Sequence, residues 1–178
     1  MEQKSAAELA LESRRQFLEK TTLAGIGLML SSLETFSKEQ SAKKIKVAVI
    51  GCGSVSGRYL PSLAQCAYAE VVSVCDIIKE RAIGRAKEFN VPNVYGNINE
   101  MLAGVPFDLM VNLTDMQEHG RLNKMALTAG KNVWSEKPMA NTYLEGKALF
   151  DFAKSKKLRI WGAPAVVNSP QFAFMAKK

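Results

Sequence analysis

Histidine occurs once and cysteine three times in this chain of 178 residues. No two cysteines have Cys-x-x-Cys spacing, and His119 has no second histidine to join it. Neither a zinc site nor a disulfide framework is therefore expected. Cys52, Cys66 and Cys75 read as small, partly buried residues of a fold made under reducing conditions. A run of about 20 apolar residues, the length a membrane helix needs, is also missing. Basic residues exceed acids, giving a net charge of +7, but they are scattered in short clusters such as Lys43, Lys44 and Lys46. Without a long basic tract interleaved with aromatics, nucleic acid is not an expected partner. The apolar content of 47% is ordinary for a globular chain and excludes disorder throughout.

What the chain does have is a glycine turn at a strand end. The apolar run Val47–Ile50 stops at Gly51-Cys52-Gly53-Ser54-Val55-Ser56-Gly57, and a segment compatible with helix follows. In this strand–turn–helix setting a Gly-x-Gly pair points to dinucleotide binding. Gly51 permits a tight turn. Gly53 places no side chain between the backbone and a pyrophosphate, and the next helix would aim its N-terminal amides there. Ser56, small enough for close packing, stands where the fingerprint has a third Gly or Ala. Many tight turns need glycine for steric reasons alone, but a second strand, Val71–Cys75, ends in Asp76. That is near the spacing of the carboxylate that holds an adenine ribose. The alternative is an aspartate that merely starts the turn before the next helix.

The rest of the pattern alternates. Strands are expected at 45–50, 71–75, 94–95, 107–113, 132–135 and 158–161. Helices are expected at about 55–67, 79–90, 97–102, 117–128 and 142–155. Strands alternating with helices imply parallel pairing with right-handed crossovers, an α/β doubly wound sheet of Rossmann type. Ligands of such sheets bind at the carboxyl ends of the strands. Three polar groups fall there: the glycine turn with Asp76; Asn112 and Thr114 with His119 after the fourth strand; and Glu136-Lys137-Pro138 after the fifth. Proline after Lys137 restricts the backbone of the lysine, which suits a side chain held at a ligand. Pro138 could equally be a plain turn residue beside a solvated lysine. His119, at the start of a helix, reads either as a site residue or as a capping or packing histidine.

These stretches together resemble the glucose–fructose oxidoreductase / inositol dehydrogenase (Gfo/Idh/MocA) family. The matching residues are Val49-Ile50-Gly51-Cys52-Gly53, Val74-Cys75-Asp76, Asn112-Leu113-Thr114 with His119, and Ala129 through Glu136-Lys137-Pro138. The resemblance implies an NAD(P)-binding domain at 44–164, with Gly51, Cys52, Gly53, Ser54, Val55, Asp76, Asn112, Thr114, His119, Glu136 and Lys137 around the cofactor. Lys137 is the implied catalytic residue, near nicotinamide and substrate. Asp76 favours NAD over NADP, because a carboxylate pairs with free ribose hydroxyls and repels a 2′-phosphate; Lys79 and Arg81 oppose that preference. The implied reaction is hydride transfer to or from a sugar, cyclitol or related polyol. A non-catalytic nucleotide-binding module and an NAD-using glycoside hydrolase are the alternatives. Where the family usually has Thr-Pro, Asp115 follows Thr114. Relatives continue into a second α/β domain, so 165–178 read as its truncated entry, and a homo-oligomer is expected only of a full-length chain. Arg14-Arg15-Gln16-Phe17-Leu18 before the uncharged Thr21–Leu33 resembles a twin-arginine export signal within residues 1–40. It departs from that signal in Glu19 and in lacking a clean cleavage site. The expectation is export to the periplasm through that machinery, the alternative a cytoplasmic protein with an amphipathic N-terminal helix.

Overall fold

The structure, a computed structural model, describes residues 43–163. The segments assigned from sequence to an export signal and to the entry of a second domain lie outside these residues. Six strands form one sheet: β1 (Ile45–Ile50), β2 (Ala69–Cys75), β3 (Asn93–Tyr95), β4 (Leu109–Asn112), β5 (Asn132–Ser135) and β6 (Ile160–Gly162). Every pairing is parallel and the order is β3-β2-β1-β4-β5-β6. Five helices connect them: α1 (Ser56–Gln65), α2 (Lys79–Phe89), α3 (Ile98–Ala103), α4 (Met116–Thr128) and α5 (Tyr143–Ser155). This is the doubly wound Rossmann arrangement, and the crevice at its switch point lies between the neighbouring strands β1 and β4.

Alternation along the strands builds two cores. Val47, Val49, Val74 and Val111 face one side and pack with Leu60 of α1 and Ala82 and Ala86 of α2. Ala48, Ile50, Met110 and Val133 face the other and pack with Met101, Leu122, Ala126, Leu127 and Leu149 of α3, α4 and α5. A parallel sheet covered on both faces requires this continuous apolar content in its central strands. No helix among the described residues is long and apolar enough to cross a membrane.

The helix ends follow local chemistry. α2 stops at Asn90, which takes the left-handed conformation (φ 54°) that asparagine tolerates better than most residues. α4 stops before Gly130 (φ 75°), whose amide bonds to the Leu127 carbonyl, while Lys131 bonds to that of Ala126. Asn97 and Thr142 cap α3 and α5, accepting from the amides of Glu100 and Glu145, as short polar side chains do at helix starts.

Candidate active site

Two glycines in the turn after β1 meet different surroundings. Gly51 has φ 93°, and a Cβ placed on it would lie 2.6 Å from the Leu113 carbonyl carbon and the Thr114 nitrogen. The loop after β4 therefore presses directly on this residue. A Cβ on Gly53 would meet no atom within 4 Å. The amides of Gly53, Ser54 and Val55 donate to no acceptor among the described residues. Val55 occupies the N-cap position of α1 and cannot cap it. A row of uncommitted amides at a helix start, beside a glycine whose Cβ side is open, is a place for an anion.

Asp76 ties this turn to the second strand. Its carboxylate is 7% exposed. One oxygen accepts from the Cys52 amide at 2.7 Å and the other from the Ile78 amide at 2.8 Å. Each oxygen retains a lone pair for a further donor, such as a ribose hydroxyl. The Cys52 amide, being committed to Asp76, is not among those open to a phosphate. The Cys52 thiol donates to the Cys75 carbonyl. Burial first, then the charge of Asp76, pushes that thiol up to about 12. Burial, followed by Cys52 and Asp76, does the same to Cys75. Neither is a thiolate at neutral pH, so neither is a nucleophile.

The polar residues after β4 are knitted to those after β5. Asn112 is fully buried; its amide donates to Asn123 Oδ1 at 2.8 Å, and its oxygen accepts from the Thr114 hydroxyl at 2.7 Å. Asn123 in turn donates to Ser135 Oγ and to the Met139 carbonyl. His119, 1% exposed, places Nδ1 2.6 Å from the Pro138 carbonyl oxygen and Nε2 2.9 Å from that of Thr114. The ring thus joins the β4 loop to the Lys137–Pro138 turn, whose peptide bond is cis. Asp115 is exposed and its side chain makes no cap bond.

Glu136 is held from both sides. Its Oε2 accepts from the Lys137 amide at 2.9 Å, and its Oε1 from the Tyr59 hydroxyl at 2.6 Å. Burial, then this bond to Glu136, holds the Tyr59 phenol above its ordinary range. Lys137 is exposed, and its ammonium has no partner among the described residues. No three of His, Cys, Asp and Glu among those residues are grouped to hold a metal.

The structure thus gathers Gly51 to Val55 with Asp76 after β1 and β2, and Asn112, Thr114, His119, Glu136 and Lys137 around the carboxyl ends of β4 and β5 and the first turn of α4. It adds Tyr59, Asn123 and Ser135, which sequence reasoning passed over. Asn123 did leave a signal. It lies four residues after His119 on α4, so two polar side chains interrupt the face that buries Leu122, Ala126 and Leu127. Tyr59 left none, since its partner lies 77 positions away.

A family model described as an oxidoreductase family with NAD-binding Rossmann fold, Gfo/Idh/MocA, matches residues 45–163. The chain belongs to this family. An uncharacterised oxidoreductase of Schizosaccharomyces pombe is 36% identical over 118 residues, covering 64% of this chain and 32% of that protein. The scyllo-inositol 2-dehydrogenase (NADP(+)) of Bacillus subtilis is 26% identical, covering 75% of this chain and 40% of that enzyme. Among solved structures, the WlbA dehydrogenase of Bordetella pertussis, in complex with NADH and UDP-GlcNAcA, superposes with a TM-score of 0.70 at 25% identity, covering 76% of this chain and 41% of that one. The chain therefore spans well under half the length of these relatives, and what it carries is the nicotinamide-cofactor domain of a Gfo/Idh/MocA oxidoreductase.

Proposed function

We propose that residues 43–163 bind NAD in preference to NADP and serve an oxidoreductase acting on a sugar, cyclitol or related polyol. The observation that carries this reading is the turn itself. Gly51 is packed shut against the β4 loop, while Gly53 opens onto space in a turn whose amides at 53–55 are uncommitted among the described residues, beside the buried Asp76. The open amides and the N-terminus of α1 hold the diphosphate. Asp76 accepts from the adenine ribose hydroxyls and opposes a 2′-phosphate. Bound there, the nicotinamide supplies the hydride chemistry, and the chain supplies position and polarity. Lys137 holds the substrate oxygen and exchanges its proton; Glu136, held by Tyr59, fixes the backbone from which Lys137 projects. The substrate class is supported by the inositol dehydrogenase of B. subtilis, which shares the fold-defining segment.

The test is titration of NADH and NADPH into the full chain, followed by nicotinamide fluorescence. NADH is expected to bind at least tenfold more tightly, a difference of about 1.4 kcal/mol. Tighter NADPH binding would overturn the Asp76 argument, and binding of neither to a folded sample would overturn the assignment of the site. Location is a separate proposal, supported by Arg14-Arg15 before Thr21–Leu33 alone. Fused to a reporter, residues 1–40 are expected to direct export that a double Arg→Lys substitution abolishes. Export surviving the double substitution would refute a twin-arginine route.

A further inference from the structure

Arg85 lies on α2, yet its guanidinium reaches back to the glycine turn after β1. Its Nε donates to Ser56 Oγ at 3.0 Å and its Nη2 to the Gly53 carbonyl at 3.4 Å. The Ser56 hydroxyl donates to that same carbonyl at 2.6 Å. One backbone oxygen thus collects two donors. The guanidinium also packs on the first turn of α1, since a Cβ on Gly57 would stand 3.2 Å from Nη2. Its remaining nitrogen pairs with Glu88 at 2.7 Å, which anchors it on α2.

The geometry of a peptide group gives this clamp a consequence. In a planar trans peptide the C=O and the following N–H point in opposite directions. A Gly53 carbonyl held toward Arg85 turns the Ser54 amide the other way, and Ser54 is exposed with that amide uncommitted among the described residues. Glycine has to stand at 53 if a diphosphate is to approach, but glycine also leaves ψ, the torsion that aims its carbonyl, loosely defined, so the Gly53–Ser54 peptide plane can tilt. A tilted peptide would aim the Ser54 amide away from the anion. We propose that Arg85, acting with Ser56, is a positioning residue for the cofactor: it locks the Gly53–Ser54 peptide so that the Ser54 amide faces the diphosphate. This rests on the nucleotide-binding reading above. Because the guanidinium is paired with the half-exposed Glu88, its charge acts only weakly at a distance, and the effect is one of orientation.

The test compares two ligands on the full chain: ADP-ribose, which has the diphosphate, and adenosine, which has only the base and ribose. Arg85→Ala is expected to raise the ADP-ribose Kd about tenfold and the adenosine Kd less than twofold. Arg85→Lys keeps the charge but cannot span both Ser56 and Gly53, so it is expected to resemble Arg85→Ala. Ser56→Ala, which keeps Arg85, is expected to raise the ADP-ribose Kd about threefold and decides the matter should Arg85→Ala not fold. Equal losses for both ligands, full recovery with lysine, or Ser56→Ala binding ADP-ribose as the parent does would each overturn the inference. A parent chain that binds neither ligand would instead overturn the nucleotide-binding reading, and the inference with it.

Discussion

Replacing each glycine of the turn by alanine should give two different defects. At Gly51 the new methyl group would sit 2.6 Å from backbone atoms of Leu113 and Thr114, which no rotamer change can move, on a residue with φ 93°. The backbone conformation alone costs a non-glycine residue about 1–3 kcal/mol. Overpacking adds about 1–3 kcal/mol, and the stiffer unfolded chain returns about 0.4–1 kcal/mol. The net loss is about 3 kcal/mol, a large part of the roughly 5–15 kcal/mol that holds a typical domain together. For a domain of this size it corresponds to a fall in Tm of about 10 °C or more. At Gly53 there is neither a positive φ nor an atom within 4 Å of the added carbon, so Gly53→Ala should melt with the parent or slightly above it. Its defect should appear in binding, where the methyl group occupies the approach to the amides and weakens NADH at least tenfold.

Thermal and urea denaturation of the full chain, with NADH titration of each variant, measures both effects. A Gly51→Ala protein that melts within about 3 °C of the parent would show that the β4 loop does not press on the turn. A Gly53→Ala protein destabilised as much as Gly51→Ala would remove the distinction between a glycine that folds the turn and a glycine that admits the ligand.

Three further outcomes are expected. Tyr59→Phe removes the donor to Glu136 Oε1 and should cost about 1 kcal/mol in urea denaturation; an unchanged midpoint would mean the bond contributes nothing in solution. Asn123→Ala strips partners from Asn112, Ser135 and the Met139 carbonyl. With about 1–3 kcal/mol for each buried group left unpaired, the loss should reach about 3 kcal/mol, and a loss under 1 kcal/mol would contradict the network. Cys52 and Cys75 are buried, with thiols raised from 9.0 to about 12, so alkylation at pH 8 should modify Cys66 in the native chain and all three cysteines only after denaturation. The folded state prefers both thiols protonated, so their contribution to stability is fully present below about pH 9 and is lost as pH rises toward 12. Rapid native labelling at Cys52 would refute that burial, and a denaturation midpoint unchanged from pH 8 to 11 would refute the linkage.

The features legible in the sequence were those whose cause is local. The glycine turn, the acid closing β2 and the alternation of strand with helix each depend on residues within a few positions of one another, and each lies where it was expected. β5 lies at the residues read for it. β6 does not: it was expected at 158–161 and runs Ile160–Gly162. The reason is the end of α5, where Lys157 turns left-handed (φ 57°) and the Leu158 amide bonds back to the Ala153 carbonyl. Those residues close the helix and are unavailable to the sheet. β4 is shorter than expected, Leu109–Asn112, although ladder bonds continue beyond both ends, from the Asp108 amide to the Lys46 carbonyl and from Leu113 to Ile50. What stayed illegible was tertiary. Nothing near Tyr59 or Arg85 in the chain announces Glu136 or the Gly53 carbonyl, because only the folded sheet brings α1 beside the end of β5 and α2 beside the glycine turn.

That placement bears on which group can do chemistry. At the carboxyl ends of β4 and β5 most polar side chains are consumed by the fold. Both oxygens of Glu136 accept hydrogen bonds from within the chain, both ring nitrogens of His119 face main-chain carbonyls, and Asn112 and Asn123 bond to each other and to their neighbours. For Glu136 to take a proton it would have to weaken its hold on Tyr59 and on the Lys137 amide. For neutral His119 to donate to a ligand it would have to give up the one main-chain carbonyl that its single N–H bonds. Lys137 meets neither obstacle. Its backbone is fixed by Glu136 on one side and, through the Pro138 carbonyl, by His119 on the other, while its ammonium is exposed. A rigid backbone carrying a charged tip that is uncommitted among the described residues is what positioning a reacting oxygen demands, which supports the role proposed for Lys137, and the neighbours that supply the rigidity use their own polar groups in doing so.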